Sequence, residues 1–202
     1  MTTQSVEMFF DPTCPWAWMT SRWLLNAAEV RDLDVTFSIM SLSALNEGRD
    51  LDPGYREAMD AAWGPARVAL AITQQGSQED VAAYYTAFGT HHHVGGHGDL
   101  RAAAEAGLAA TSLDAQLIAA YEDTSLDDEL RRRQQAVIDL VGDEVGTPVI
   151  SFGTGRAYFG PVISPAPKGE EAGALLDGLA ALASVEGFFE IKRTRTVGPI
   201  FD

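Results

Sequence analysis

The sequence predicts an α/β protein in which a helical segment interrupts one mixed sheet. The first 41 residues alternate strand, helix and strand. From Leu42 to about Asp143, apolar residues recur every three to four positions and no alternating run is found; after this segment, two short strands precede a final helix. This order places parallel and antiparallel neighbours in one sheet. We therefore assign residues 1–41 and 144–202 to one α/β domain and residues 42–143 to an all-helical insertion.

The sequence marks the boundaries of the elements in the N-terminal β-α-β unit. The apolar run from Val6 to Phe10 ends at Asp11-Pro12, which predicts a buried strand that meets a turn. Apolar residues spaced by three and four then predict a helix from Pro15 to about Val30. Alternation from Val35 to Ile39 predicts the second strand.

The later elements follow from similar signals. Ser125 with Asp128 suggests a capping box, and Gly142 is placed to end the same helix. The insertion is predicted to contain helices near Pro53 to Ala62, Pro65 to Gln74, Gln78 to Phe88, Leu100 to Ala106, Ser112 to Tyr121 and Leu126 to Leu140. Beyond it, we predict a hairpin with strands Thr147 to Phe152 and Arg156 to Phe159, a helix near Ala172 to Leu182, and a tail, Gly187 to Asp202, that packs against the protein or another subunit.

Charge and composition disfavour several classes of partner and location. Fourteen Lys and Arg against 29 Asp and Glu give a net charge of −15, which disfavours nucleic acid and anionic membranes as partners. The N-terminus lacks the basic and apolar regions of a secretory signal, and no apolar run reaches the roughly 18 residues of a membrane span. We expect a cytoplasmic protein.

The only cysteine, Cys14, follows a predicted strand and opens a predicted helix. Unpaired backbone N–H groups and the helix dipole stabilise a thiolate there, so we expect a lowered pKa. Pro15 suits the first helical turn because its missing N–H has no partner to lose. The alternative is a buried, inert cysteine.

Several motifs resemble one family. The element order, with Cys-Pro-Trp-Ala opening the first helix and Thr-Pro opening the third strand, resembles the thioredoxin fold with the helical insertion of the DsbA-like group. More closely, the chain resembles actinobacterial mycothiol-dependent nitroreductases in Asp11-Pro12-Thr13-Cys14-Pro15-Trp16, Thr20-Ser21-Arg22-Trp23, Met40-Ser41-Leu42, Leu45-Asn46-Glu47, Trp63-Gly64-Pro65, Val145-Gly146-Thr147-Pro148, Phe159-Gly160-Pro161 and Lys192-Arg193-Thr194-Arg195-Thr196.

The resemblance implies a cytoplasmic homodimer in which a Cys-Pro-Trp-Cys centre takes electrons from mycothiol and reduces nitroaromatic compounds. It implies no bound cofactor, with mycothiol or another low-molecular-weight thiol as co-substrate and a nitroaromatic or other electrophile as substrate. Here the second cysteine corresponds to Ala17. Cys14 would therefore act alone, and a second thiol molecule would resolve its mixed disulfide.

The resemblance also implies the groove around Cys14. Pro148 would be cis and face the thiol, and the backbone of Thr147 would pair with an extended thiol substrate. Trp16 would border the thiol, although its helical spacing equally places it in the core. Asn46 and Tyr55 would line the substrate pocket, or else be a loop asparagine and a packing tyrosine.

The cluster His91, His92, His93 and His97 is open to two interpretations. Imidazoles four residues apart can share a metal ion, but Gly95-Gly96 breaks the helix and no further ligand motif completes a site. We favour a solvated loop and no metal, from which His93 could reach a substrate if the loop covers the groove. The basic runs Arg131 to Arg133 and Lys192 to Arg195 suit ion pairs, and the second could anchor the tail or contact a neighbouring subunit.

Two other functions remain open. One is a transferase or isomerase that resembles the kappa-class glutathione transferases, which share the fold and insertion and hold a thiol cofactor without a dithiol cycle. The other is a binding protein, or an engineered variant in which alanine replaces a resolving cysteine so that a mixed disulfide stays intact.

Overall fold

The computed structural model describes residues 3–201 and contains a four-stranded sheet in the order β2-β1-β3-β4. β1 pairs in parallel with β2 and antiparallel with β3, and β3 pairs antiparallel with β4. The strands are β1 (Gln4–Phe10), β2 (Leu33–Ile39), β3 (Val149–Ser151) and β4 (Ala157–Phe159). The mixed sheet and the thioredoxin-like order predicted from the sequence are confirmed.

Eight α-helices surround this sheet in the described part of the chain. They are α1 (Pro15–Ala28), α2 (Leu42–Leu45), α3 (Pro53–Ala61), α4 (Trp63–Gln75), α5 (Gln78–Gly89), α6 (Leu100–Ala109), α7 (Asp127–Val141) and α8 (Gly169–Ser184). A π-helical turn, Thr90–Val94, continues α5, and two 3₁₀ segments, Ala115–Glu122 and Thr124–Leu126, precede α7. Between β2 and β3 the structure describes every residue and contains no strand.

Two predictions about the insertion are wrong. The segment expected as a helix from Ser112 to Tyr121 is a 3₁₀ helix, which starts where the Asp114 side chain accepts from the Gln116 N–H. α7 has no side-chain cap, because the preceding 3₁₀ turn leads directly into it. Gly142 does end α7, with φ of 86°.

The expected type of cap lies elsewhere, on α5. Ser77 and Asp80 form a complete capping box, in which each side chain bonds to the other residue's backbone N–H. This spacing was visible in the sequence, but the prediction placed the motif at Ser125 and Asp128 instead.

The core holds α1 against the sheet. Val6, Met8 and Phe10 alternate along β1 and are fully or almost fully buried, as is Trp23 on α1. The Trp23 indole N–H donates to the Ala172 carbonyl oxygen at 3.0 Å, which ties α1 to α8. The start of α1 is thereby fixed beside the ends of the central strands.

Within residues 3–201, no helix combines the length and the apolar character that crossing a bilayer requires.

Candidate active site

Cys14 lies between β1 and α1 and is the N-cap of that helix. Its sulfur accepts from the Ala17 N–H at 3.4 Å, and its thiol donates to the Thr147 carbonyl oxygen at the same distance. Pro15 occupies the first helical turn, as predicted. The thiol is therefore held between the start of α1 and the segment that leads into β3.

The expected lowered pKa is wrong for this state of the thiol. Cys14 is only 5% exposed, and burial raises its pKa. The Thr147 side chain and the Ala17 N–H oppose that rise, while the nearby Asp11 carboxylate adds to it. Desolvation thus outweighs the helix start, and the thiol is protonated at neutral pH.

Asp11 is a buried carboxyl group that holds the active-site turn. One carboxylate oxygen accepts from the Thr13 N–H at 2.8 Å and from its hydroxyl at 2.7 Å, and the other accepts from the Leu42 N–H at 2.8 Å. Burial raises the pKa of Asp11 despite these bonds. Asp11 is not among the site residues predicted from the sequence, although an acidic residue at the end of a buried strand beside the cysteine is a usable signal.

Thr147, which precedes Pro148, contacts Cys14 from the other side of the site through its carbonyl oxygen. The peptide bond between Thr147 and Pro148 is cis, which is the isomer that the resemblance implies. Thr147 is only 4% exposed, and its buried Oγ1 forms no hydrogen bond. The Thr147 side chain is close enough to Cys14 to lower the pKa of its thiol.

Ala17 and Trp16 complete the first turn of α1. Ala17 is completely buried, and its N–H points at the Cys14 sulfur. Trp16 is half-buried and packs against the core. The core position predicted from its helical spacing therefore applies to part of its indole. The Arg195 guanidinium lies 5.2 Å from the centre of the Trp16 ring.

Asn46 and Tyr55 lie on the same side of the molecule as the thiol. Burial raises the pKa of Tyr55, the Cys14 and Asp11 groups raise it further, and a hydrogen bond with the Asn46 side chain lowers it. Asn46 is buried, and its amide donates to the Leu42 carbonyl oxygen at 2.9 Å. Tyr55 is 45% exposed, so solvent reaches its side chain.

His93 is not part of a solvated loop. It is 7% exposed in the π-helical turn, and its Nε2 donates to the Pro12 carbonyl oxygen at 3.0 Å. Burial lowers its pKa to about 4, so the ring is neutral near pH 7. Its ring also lies near those of Trp18 and Phe201, at 5.8 and 5.6 Å between centres. These contacts make His93 a support beneath the cysteine loop rather than part of a cover over the groove.

The other histidines of the cluster are more exposed. His91 and His92 are half-buried, and His97 is exposed. Within residues 3–201, no group of three or more His, Cys, Asp or Glu side chains is arranged to hold a metal ion.

Two surface clefts lie away from the thiol. One, of about 480 Å³, separates α2 from α7 and is lined by Glu47, Arg131 and Gln134 among others; a smaller one, of about 200 Å³, lies beside the 3₁₀ segment Ala115–Glu122. Cys14 lines neither of them. Neither of these two clefts therefore leads to the thiol.

Comparisons with solved structures support the fold. The probable DsbA oxidoreductase SCO1869 from Streptomyces coelicolor has a TM-score of 0.58 and 16% identity, covering 96% of this chain and 94% of that one. The cytosolic disulfide reductase DsbM from Pseudomonas aeruginosa, solved with GSH, has a TM-score of 0.52 and 17% identity, covering 88% of this chain and 99% of its own. These likenesses establish a thioredoxin fold of the DsbA-like type.

Sequence comparisons reach further than the fold. The uncharacterized protein Rv2286c of Mycobacterium tuberculosis (strain ATCC 25618 / H37Rv) is 26% identical over 198 residues, covering 97% of this chain and 84% of that protein. The family model described as mycothiol-dependent nitroreductase Rv2466c matches residues 13–193, which include Cys14, Thr147 and the first part of the tail. The chain therefore belongs to the Rv2466c-like family of mycothiol-dependent nitroreductases.

Proposed function

We propose that the protein is a cytoplasmic, homodimeric thiol-dependent reductase that uses mycothiol and works through Cys14 alone. Family membership supports the thiol-dependent oxidoreductase class. The observation that carries the proposal is the pairing of one cysteine at the start of α1 with a buried alanine, Ala17, three residues later. This cysteine has no second thiol in its own chain with which to cycle.

The proposed reaction has two exchange steps. The Cys14 thiolate attacks one sulfur of a disulfide, forms a mixed disulfide and releases the other sulfur as a thiolate. A mycothiol thiolate then attacks that mixed disulfide, leaves with the bound group as a new disulfide and regenerates the Cys14 thiolate. Protons exchange with solvent, and the electron pair comes from mycothiol.

Reduction of a nitroaromatic compound also takes its electron pair from thiols. Two thiols supply one electron pair and become a disulfide, while the nitro group loses an oxygen atom as water and becomes a nitroso group. The exposed phenol of Tyr55 and the half-buried Trp16 are the aromatic surfaces that we assign to such a ring. Asn46 positions the phenol, the Thr147 backbone pairs with the thiol substrate beside Pro148, and His93 supports the loop.

The groups around Cys14 control when its thiolate forms. Burial keeps the resting thiol protonated, which limits reaction with unselected oxidants. The unbonded Thr147 hydroxyl can donate to the sulfur once it is ionised, beside the Ala17 N–H that already points at it. Ionisation is thus favoured when a substrate occupies the opening and the thiol turns away from the Thr147 carbonyl oxygen.

The test measures turnover with mycothiol and a regenerating system. The purified protein should reduce a nitroaromatic compound or a mycothiol mixed disulfide, and Cys14→Ser should abolish that activity. An intact protein that leaves both substrates unchanged would contradict the proposal.

A transferase or isomerase of the kappa-class type is the second candidate, because Cys14 is buried, protonated and without a resolving cysteine. Such an enzyme would bind a thiol cofactor and conjugate or isomerise a substrate without forming a disulfide to the protein. Conjugation or isomerisation that persists in Cys14→Ser would favour it over the reductase.

A further inference from the structure

The C-terminal tail, described from Gly187 to residue 201, is attached to the protein on both sides of its basic run. The Phe188 carbonyl oxygen accepts from the Tyr158 hydroxyl at 3.4 Å, and the two rings lie 5.7 Å apart. Further along, the Ser164 hydroxyl donates to the Gly198 carbonyl oxygen at 2.8 Å and accepts from the Ile200 N–H at 2.9 Å. The segment between these attachments therefore has a defined path.

The last described residue of the tail reaches the active-site side of the molecule. The ring of Phe201 is half-buried and lies 5.6 Å from that of His93, whose Nε2 bonds to Pro12 in the cysteine loop. The tail thus packs on its own chain, which is one of the two outcomes expected from its apolar composition.

Arg195 lies in the middle of this path, over the first turn of α1. Its guanidinium carbon is 5.2 Å from the centre of the Trp16 ring, within the range of a cation–π contact. Trp16 is two residues after Cys14 on the same turn. The tail therefore brings a permanent positive charge over the helical turn that begins at Cys14.

The N–H donors of the Arg195 guanidinium are free to bind a ligand. Across residues 3–201, no carboxylate forms an ion pair with Arg195, and none of its N–H groups has a protein acceptor. Stacking on an indole uses the flat face of the guanidinium and leaves its N–H donors at the rim free for a carboxylate, a phosphate or a sulfonate. Within residues 3–201, Lys192 and Arg193 of the same basic run also form no ion pair, so what distinguishes Arg195 is its position over Trp16.

We propose that Arg195 is a specificity residue that selects substrates bearing an anionic group for reaction at Cys14. This inference rests on the proposed function, since it assumes that Cys14 is the nucleophile, and it adds the class of substrate. The favoured substrates are electrophiles or disulfides in which a carboxylate or a comparable anion can reach the guanidinium while the reacting atom reaches Sγ.

The test compares two alkylating agents of similar size and different charge. Iodoacetate and iodoacetamide react with a thiolate in the same way: a carbon–sulfur bond forms, the carbon–iodine bond breaks and iodide leaves. Rate constants for both are measured by intact mass in the native protein and in Arg195→Gln. The ratio of the two rates cancels changes in thiol pKa or exposure that affect both reagents equally.

We expect the iodoacetate to iodoacetamide ratio to fall about fivefold in Arg195→Gln, the effect of one charge pair at close range in a largely solvated setting. Arg195→Lys should retain most of the ratio. Arg193→Gln removes the same charge from the same exposed run, away from Trp16, and should leave the ratio unchanged. Added salt should reduce the ratio in the unmodified protein and have less effect in Arg195→Gln.

The outcomes separate the two claims. An unchanged ratio in Arg195→Gln, or an equal fall in Arg193→Gln, would overturn the role of Arg195 and leave Cys14 as a reactive thiol. Failure of both reagents to modify the native protein, with rapid modification after unfolding, would overturn the proposed function itself.

Discussion

At the scale of single residues, the site is governed by competition between burial and hydrogen bonding at one sulfur atom. Burial and the neighbouring Asp11 raise the pKa of Cys14, and the Thr147 side chain and the Ala17 N–H lower it. The Thr147 hydroxyl is distinctive because it is buried without a hydrogen bond in the resting state. Its contribution should appear only as the thiolate forms.

Replacing Thr147 by valine tests that contribution. Thr147→Val removes the hydroxyl with little change in shape, so the pKa of Cys14 should rise and the thiolate fraction at neutral pH should fall. Alkylation by iodoacetamide at pH 7.5 should slow by about three- to tenfold, which is what one hydrogen bond contributes. Thr147→Ser keeps the hydroxyl and is the matched control; equal rates in the two variants would exclude this role.

The acid sensitivity of the fold should depend on His93. Its pKa falls from 6.5 to about 4 on folding, because burial disfavours the charged ring. The unfolded chain therefore binds more protons between these values, and stability falls as the pH is lowered through that window. His93→Gln cannot titrate, so its free energy of unfolding should fall less between pH 6.5 and pH 4, by up to roughly 3 kcal/mol.

Urea unfolding at several pH values measures this difference. The two proteins should differ in slope only within the window, and their curves should run parallel above pH 7. Parallel curves throughout would show that His93 is charged or accessible in the folded protein.

At the scale of elements, α5 and its π-helical turn position the cysteine loop. Gly89 ends α5 where the Trp18 ring of α1 packs against it, and a Cβ atom there would lie only 2.1 Å from that ring. The close approach of the two helices places His93 beneath Pro12.

Gly89→Ala should therefore destabilise the protein by about 1–3 kcal/mol, the cost of overpacking a filled contact. Gly178, inside α8, is the matched control, because a Cβ atom there meets nothing within 4 Å. Gly178→Ala should stabilise by about 0.5–1 kcal/mol through helix propensity alone. Both values come from denaturant unfolding, and a neutral Gly89→Ala would contradict the close contact.

The elements that the sequence predicted well are those with local signals. The apolar stripe from Pro15, the alternation before Ile39 and the stop at Gly142 need no knowledge of distant residues. The burial of His93 could not be read in this way. It comes from a π-helical turn that continues α5 and from contacts with Pro12 and the tail, which are 81 and 108 residues away in sequence.

At the scale of the whole molecule, contacts between residues distant in sequence also explain why the pKa of Cys14 was predicted in the wrong direction. The sequence places the cysteine at a helix start, which favours a thiolate. The sequence does not show how fully Thr147 and the rest of the fold cover the sulfur. This burial raises the pKa of Cys14 instead of lowering it. The cysteine and its partner segment were thus predictable from motifs, whereas the resting protonation state required the assembled fold.

The sequence contains one cysteine, so in the mechanism that we propose an external thiol resolves the mixed disulfide. In that mechanism Ala17 takes the place of the resolving cysteine, and its backbone N–H points at the Cys14 sulfur. Ala17→Cys should therefore convert the protein to an intramolecular dithiol. After exposure to an oxidised low-molecular-weight thiol, this variant should lose two hydrogen atoms in mass and retain no adduct.

The most direct test of the one-cysteine mechanism is the intact mass of the unmodified protein after exposure to mycothiol disulfide. We predict a single mycothiol adduct per chain that persists until free mycothiol is added and that is absent in Cys14→Ser. An unchanged mass under conditions in which the unfolded protein is modified would contradict the mechanism, because it would mean that Cys14 does not exchange in the folded state.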